Sequence, residues 1–361
     1  MIRALDASHV DGVSYAAILA ADEIALREAA DRGDRGVLRT CSVTGSVLLA
    51  GRYHAVPPDA PAGGATSMQR RRTGGRAVAF GDGFLGLSLV LPHRSALVSE
   101  DWRTLDPAQV MNRCVRGVLR GLAAVGVPAF YPGRDLITVD RRALGLVSFE
   151  TTASGALLFE AVIALTRDFT ATVDLLERLD PRGCITAPVL RAGEVSSVAA
   201  RTAGGAAATR AGGSVATADL GAAIARGYAA EFNLDLVPQG ATHGVPSNVD
   251  AERAAAWLRS RVPRPELDRR GTVPIQLGVL EVHFAAEGGR LGPVMLAGDF
   301  LANSAAVEAL ERRLVGTPID FASISARTFE EFGRPESFVL GLADLSAVAT
   351  AVSRGLGHGA T

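Results

Sequence analysis

Arg70-Arg71-Arg72-Thr73-Gly74-Gly75-Arg76-Ala77-Val78-Ala79-Phe80-Gly81-Asp82-Gly83 sets four arginines around a glycine pair. Glycine lacks Cβ, so its backbone reaches positive φ and lets another group approach the amides, while guanidinium donates forked hydrogen bonds to phosphate or carboxylate. These residue types read as an anion site built from Arg70, Arg71, Arg76, Gly74 and Gly75. They also suit a hairpin with a solvated basic tip, and the strand-like runs 77–80 and 85–91 would follow either kind of turn.

The same string resembles the RR-x-(S/T)-GG-(G/R)-A-V-x-H-D signature of the lipoate-protein ligase and octanoyltransferase branch of the biotin/lipoate ligase superfamily. Further segments fall in the family's order. Gly51-Arg52-Tyr53-His54 resembles the Gly-Arg turn before the signature, and Arg134-Asp135-Leu136 with Asp140-Arg141-Arg142-Ala143-Leu144-Gly145 resembles the N-D-(I/L)…(G/D)-(R/K)-K-x-x-G segment. Gly278-Val279-Leu280-Glu281-Val282-His283-Phe284 and the later Gly298-Asp299-Phe300 resemble the start of an accessory domain. The resemblance implies an α+β fold, with a catalytic domain of mixed sheets flanked by helices over 1–262 and a small α+β accessory domain over 263–361.

The departures fall on polar groups. Phe80-Gly81 stands where the signature has His-Asp, with Asp82 one residue later. The family's catalytic lysine aligns with Arg142, a second histidine motif with Phe159-Glu160-Ala161-Val162-Ile163, and the nucleophilic cysteine of some octanoyltransferases with Ala129. Arginine for lysine keeps a charge but loses the compact ammonium that can release its proton. Phenylalanines for histidines make the implied acyl pocket more apolar.

The chain has 361 residues, enough for two domains, and 48% hydrophobic content, that of an ordinary globular protein. Its 37 basic and 38 acidic residues nearly cancel, giving a net charge of −1, so the balance calls for neither nucleic acid nor an anionic membrane. Every basic residue counted there is arginine. Compositional bias accounts for that, and an enzyme making an activated acyl group also gains by offering it no ε-amine. Cys41, Cys114 and Cys184 are odd in number and far apart, which excludes a disulfide framework and a zinc spacing. The start lacks the layout of a signal peptide and no run reaches a transmembrane length, so the expected location is cytoplasmic.

Apolar spacing predicts a helix over 15–30, strands at 37–44 and 47–51, and a helix after Asp106-Pro107 that Gly126 stops. Strands are expected at 136–139, 144–150 and 156–164, then a helix over 171–179. The Ala- and Gly-rich segment 199–221 reads as a flap, followed by helices at 220–228 and 251–260. Val262-Pro263-Arg264-Pro265 reads as a linker, with strands at 275–284 and 290–296 and a helix at 304–314 beyond it.

The resemblance implies ATP and Mg²⁺ as cofactors, with Arg142 and Asp135 as catalytic groups and Asp135 as the Mg²⁺ ligand. It implies Arg52, Arg70, Arg71, Gly74, Gly75, Arg76, Asp82 and Gly145 as substrate- and ATP-binding positions. The activity implied is activation of a small carboxylic acid as its acyl-adenylate and transfer to an amine, on a carrier domain or a small molecule. Two alternatives stay open: an ATP-independent acyltransferase, and a non-catalytic homologue that binds an acyl or nucleotide ligand or a partner protein. The histidines show no metal spacing, and His54 alone sits beside a motif, as a candidate base. Ser88 lacks the second glycine of a nucleophile elbow.

Overall fold

The computed structural model describes residues 1–98, 106–202, 215–240, 244–246 and 249–357. Most of the segment expected as a flap lies outside the described residues, as do His243 and His358. In chain order the N-terminal part contains β1 (Ala4–Val13), α1 (Tyr15–Glu28), β2 (Arg35–Val43), β3 (Ser46–Ala50), β4 (Thr66–Arg70), β5 (Val78–Gly81) and β6 (Phe84–Leu91). It continues through α2 (Pro107–Ala124), β7 (Leu136–Val139), β8 (Arg142–Thr151), β9 (Leu157–Ala164), α3 (Ala171–Leu179), α4 (Val198–Thr202), α5 (Thr217–Phe232), β10 (Asp235–Pro238) and α6 (Ala251–Leu258). Then follow β11 (Arg269–Ile275), β12 (Gly278–Glu287), β13 (Arg290–Gly298), β14 (Leu301–Ala302), α7 (Ser304–Leu314), α8 (Phe321–Phe332), β15 (Val339–Leu340) and α9 (Ala347–Gly355).

Local chemistry starts the helices where the sequence places them. The Ser14 hydroxyl accepts from the Ala17 amide to cap α1, and the Asp106 carboxylate accepts from the Ala108 amide, with Pro107 opening α2. These caps satisfy amides that the first helical turn leaves without partners.

A large sheet orders its strands β10-β1-β2-β6-β9-β8-β7 and a smaller one β4-β3-β5. The period-2 alternation of β6 and β9 sorts side chains between the faces of the large sheet. Leu87, Leu89 and Phe159 join Val115 and Val118 of α2 and Ile224 and Tyr228 of α5 in one buried cluster. Leu146 and Val162 join Leu48 and Val78 of the small sheet in another. Burying each such side chain contributes roughly 1.5–3 kcal/mol, enough to hold the small sheet on the large one. Phe159 is therefore a core residue on the helix side, and the expectation that it lines the ligand pocket fails.

Three departures have physical reasons. The first strand, β1, was not legible because Asp6 interrupts its apolar run; that carboxylate is buried by its ion pairs with Arg32 and Arg35. The run 275–284 is in fact the end of β11, a turn at Gln276 and Leu277, and β12. The third departure is α8 and α9, which pack with α7 against β11–β13 around Leu280, Val282, Leu310, Ile324, Val348 and Val352. No helix among the described residues is long and apolar enough to cross a membrane.

Candidate functional site

The signature turn leaves β4 at Arg70 and is tied back to β3 by the Arg71 amide, which donates to the Ala50 carbonyl at 3.0 Å. Arg70 is fully buried. Its Nε donates to the Leu258 carbonyl at 2.9 Å and its Nη1 to the carbonyls of Gly51 and Arg52 at 3.0 and 2.7 Å. Burial, and then the neighbouring charges of Arg261 and Arg52, pull this guanidinium down to about 9. Arg70 is a structural tie between the turn, the Gly51 loop and α6.

Arg71, also buried, donates from Nε and Nη2 to the Gly74 carbonyl and from Nη2 to the Arg76 carbonyl, folding the turn around its own side chain. Burial lowers it, and Glu160 opposes that shift most strongly. Arg76 donates through Nε to Asp135 Oδ2 at 2.6 Å. The Asp135 carboxyl is raised by burial against the pull of Arg76, and its Oδ1 has no hydrogen-bond partner. Arg72 turns outward to Glu23 at 2.7 Å and lies over the Trp257 ring, as Arg52 does. The basic tip is thus folded inward, because its carbonyls and carboxylates are supplied by the protein itself.

Beneath the turn lies a cavity of about 20 Å³, lined among others by Tyr15, Cys41, Arg71, Phe80, Ser148 and Glu160. Glu160 binds the turn directly. Its Oε2 accepts from the Thr73 amide at 3.1 Å and from the Thr73 hydroxyl, and its Oε1 accepts from the Tyr15 hydroxyl at 3.4 Å. The Thr73 proton being committed to Glu160, Ser148 donates to Thr73 Oγ1 at 2.6 Å. Burial, with Asp22 nearby, raises Glu160 above the usual carboxylate range, while Thr73 and Arg71 oppose it. An arginine and a carboxylate thus share one buried wall, each with a perturbed proton affinity. Burial is the leading cause of both shifts.

The C-terminal segment seats on the turn. The Gly75 amide, at φ 88°, donates to the Phe300 carbonyl at 3.0 Å, and a Cβ on Gly74 would stand 2.3 Å from that same oxygen. Tyr53 stacks on Phe300 at 4.5 Å and donates to the Ala302 carbonyl at 2.7 Å. His54 Nδ1 accepts from the Gly51 amide, so its proton is on Nε2, which donates to Asp299 Oδ1 at 3.0 Å. Asp299 Oδ2 accepts from the Val279 amide at 2.8 Å. His54 is 1% exposed and clamps this contact rather than acting as a base at the cavity.

Glu150 completes the seat by accepting from the amide and hydroxyl of Ser304 at the start of α7. Burial raises its carboxyl to about 7, with Arg52 opposing. A carboxyl raised in the folded state stabilises most below its unfolded value near 4.5, and that stabilisation is lost as pH rises through 7. Glu150→Gln keeps an acceptor for Ser304. It is expected to remove a fall in stability of up to about 3 kcal/mol between pH 5 and 8, read as the difference between parent and variant urea midpoints.

The structure brings Arg52, Arg70, Arg71, Gly74, Gly75, Arg76 and Asp135 together around the turn, and leaves three expected positions elsewhere. Arg142 is exposed at the first position of β8, after Asp140 and Arg141 with φ of 47° and 63°, and is absent from the cavity wall. Asp82 is exposed in the next turn, where it accepts from the Gly45 amide at 3.2 Å. Gly145 lies within β8, opposite Ile137 and Ile163. Sequence reading missed Tyr15, Ser148 and Glu160 as site residues. Glu160 did carry a signal, a lone carboxylate inside the apolar run Leu157-Leu158-Phe159-Glu160-Ala161-Val162.

Neither a scan against protein-family models nor a search of curated proteins finds a match to the sequence. Among solved structures, P. falciparum LipL1 in complex with lipoate superposes with a TM-score of 0.63 at 11% identity, covering 90% of this chain and 94% of that one. The chain has the fold of the lipoate-protein ligases. Lipoate-protein ligase A bound with ATP is similar at a TM-score of 0.49 and 19% identity, over 73% of this chain and 100% of that one. T. acidophilum Ta0514, a putative lipoate protein ligase with bound lipoic acid, is similar at 0.49 and 18%, over 72% and 99%. On this lipoate-ligase fold the cavity, the turn and Glu160 lie where the large and small sheets face each other.

Proposed function

We propose that the chain activates a carboxylic acid with ATP and transfers the acyl group to an amine. The observation that carries this reading is a small cavity lined by Arg71 of the signature turn and by Glu160, on a lipoate-ligase fold. The acid enters with its carboxylate toward Arg71. A carboxylate oxygen attacks the α-phosphorus, the new P–O bond forms, and the bond to pyrophosphate breaks with its electron pair leaving on oxygen. The acceptor amine then attacks the acyl carbon, the C–O bond to AMP breaks, and the amine proton is released. Arg71 and Arg76 supply fixed positive charge where negative charge builds, which is worth most in a water-poor site.

Asp135 Oδ1 is a buried carboxylate oxygen without a partner, and its other oxygen is held by Arg76. Among the described residues no group of three or more His, Cys, Asp or Glu is placed to hold a metal ion. One free carboxylate oxygen suits Mg²⁺ that arrives on nucleotide phosphates with most of its water, and the ion would supply charge neutralisation there. The Gly75 amide is occupied by Phe300, so a phosphate that takes this donor displaces the C-terminal segment.

Because Arg142 is exposed, charge at the acyl group is assigned here to Arg71 and Arg76. Arg142→Ala is expected to change turnover by less than about threefold, the scale of a screened surface charge. Hydroxylamine trapping tests the reading itself. Acid, ATP and Mg²⁺ should yield the acyl-hydroxamate; ATP-independent formation from an acyl-thioester would point instead to a transferase, and nucleotide binding without any hydroxamate to a non-catalytic homologue.

A further inference from the structure

We infer that the groove between the linker and α7 is a phosphate site, separate from the cavity under the signature turn. Binding there needs no turnover, so it stands or falls apart from the activation reading. The groove has a volume of about 650 Å³ and is lined by residues 259–265, by β13 and by α7. Its lining carries Arg52, Arg259, Arg261 and Arg264 against only Glu308 and Glu311, an excess of two positive charges. The two glutamates neutralise these arginines poorly. Glu311 is committed to the fold, since its Oε1 accepts from the Leu296 amide at 2.8 Å as well as from Arg261 at 2.7 Å, tying α7 to β13. Glu308 is half exposed and stands 3.6 Å from Arg52. Arg264 meets Glu266 in an exposed pair, which contributes little, and Arg259 has no ion pair among the described residues.

Arg70 deepens the excess without touching the ligand. It donates to the carbonyls of Arg52 and Leu258, its Nη2 has no partner, and the charges that act on it are those of Arg261 and Arg52. A buried guanidinium among like charges is costly, and an anion in the groove relieves that repulsion. Two of the lining guanidiniums are held as fixed planes. Arg52 lies over the Trp257 ring with its Cζ 5.0 Å from the centroid, and Arg261 lies over Tyr53 at 5.3 Å. Trp257 is pinned in turn by its Nε1, which donates to the Arg70 carbonyl at 2.9 Å. Planar donors already in place lose little freedom on binding, and their forked N–H groups match the oxygens of a phosphate. A concave wall focuses their field on a small polyanion rather than on a flat protein face. Free pyrophosphate and the phosphates of a nucleotide share that chemistry.

The position of the groove gives the effect a sign. Phosphate held there joins residues 259–265 to β13 and α7 and secures the C-terminal segment, whereas phosphate on the Gly75 amide would displace the Phe300 carbonyl and release it. The test is calorimetry of the full chain with inorganic pyrophosphate, magnesium omitted, beside proteinase K cleavage between Val262 and Leu267 with and without that probe. Pyrophosphate is expected to bind and to slow cleavage severalfold. The double variant Arg259→Ser with Arg264→Ser changes exposed side chains only, and it is expected to bind pyrophosphate roughly tenfold more weakly or worse, the scale of losing one charge-assisted hydrogen bond. ATP is the second arm: slower cleavage with ATP assigns the phosphate to a nucleotide, and faster cleavage with ATP but slower with pyrophosphate assigns it to the free ion, and either keeps the site. Pyrophosphate that speeds cleavage, equal binding by parent and double variant, or no binding at millimolar pyrophosphate overturns the inference.

Discussion

Arg71→Ala is expected to lower acid-dependent turnover by about 10³-fold or more, the scale of losing a preorganised charge at a reacting centre. The guanidinium serves both the substrate carboxylate and the fold. Its removal leaves the carbonyls of Gly74 and Arg76 without their donor and Glu160 without its nearest counter-charge. Leaving those buried carbonyls without a donor costs about 1–3 kcal/mol each in stability. The double variant Arg71→Met with Glu160→Gln separates the two roles. It removes the Glu160 charge along with the guanidinium, so it is expected to regain over Arg71→Ala only the part of the stability lost to an uncompensated buried charge, while remaining inactive. Recovery of turnover along with stability would make Arg71 a purely structural residue.

Gly74→Ala is the second large effect, and it acts on the seat of the C-terminal segment. The new Cβ would stand 2.3 Å from the Phe300 carbonyl oxygen, with the Tyr53 ring at 3.1 Å, and the nearer obstacle is backbone rather than a flexible side chain. Either the turn or the segment must shift, at a cost of about 1–3 kcal/mol or more. The expected readout is faster limited proteolysis between Val262 and Leu267, where Arg264 and Glu266 are exposed. Gly63→Ala is the control, since a Cβ there meets nothing within 4 Å. Equal proteolysis of Gly74→Ala and Gly63→Ala would mean that the segment is not seated on the turn.

The N-terminal half of the fold was legible wherever local periodicity and final packing agree. The stripe of α2, the alternation of β6 and β9 and the cap at Asp106 fall in this class, because residues near in sequence share a face. Asp6 shows the opposite case. Its burial depends on Arg32 and Arg35, and on parallel neighbours brought in from β2 and β10. The same limit governs the site. The sequence marked the arginines and glycines of the turn, but not where their hydrogen bonds go. Arg70 looks like a ligand-binding group until the carbonyls of Leu258 and Gly51 are placed beside it. Phe80 was legible as a departure from a family pattern; that it fills the pocket depends on Gly86 and Tyr15, which only the packed sheets bring against it.

The most direct test of the central claim is isotope exchange between pyrophosphate and ATP, run with and without carboxylic acids of graded length, in the parent and in Arg71→Ala. Exchange that requires the acid and disappears in the variant is the predicted result. No exchange with any acid, in a protein that also fails to bind ATP in calorimetry, would contradict it.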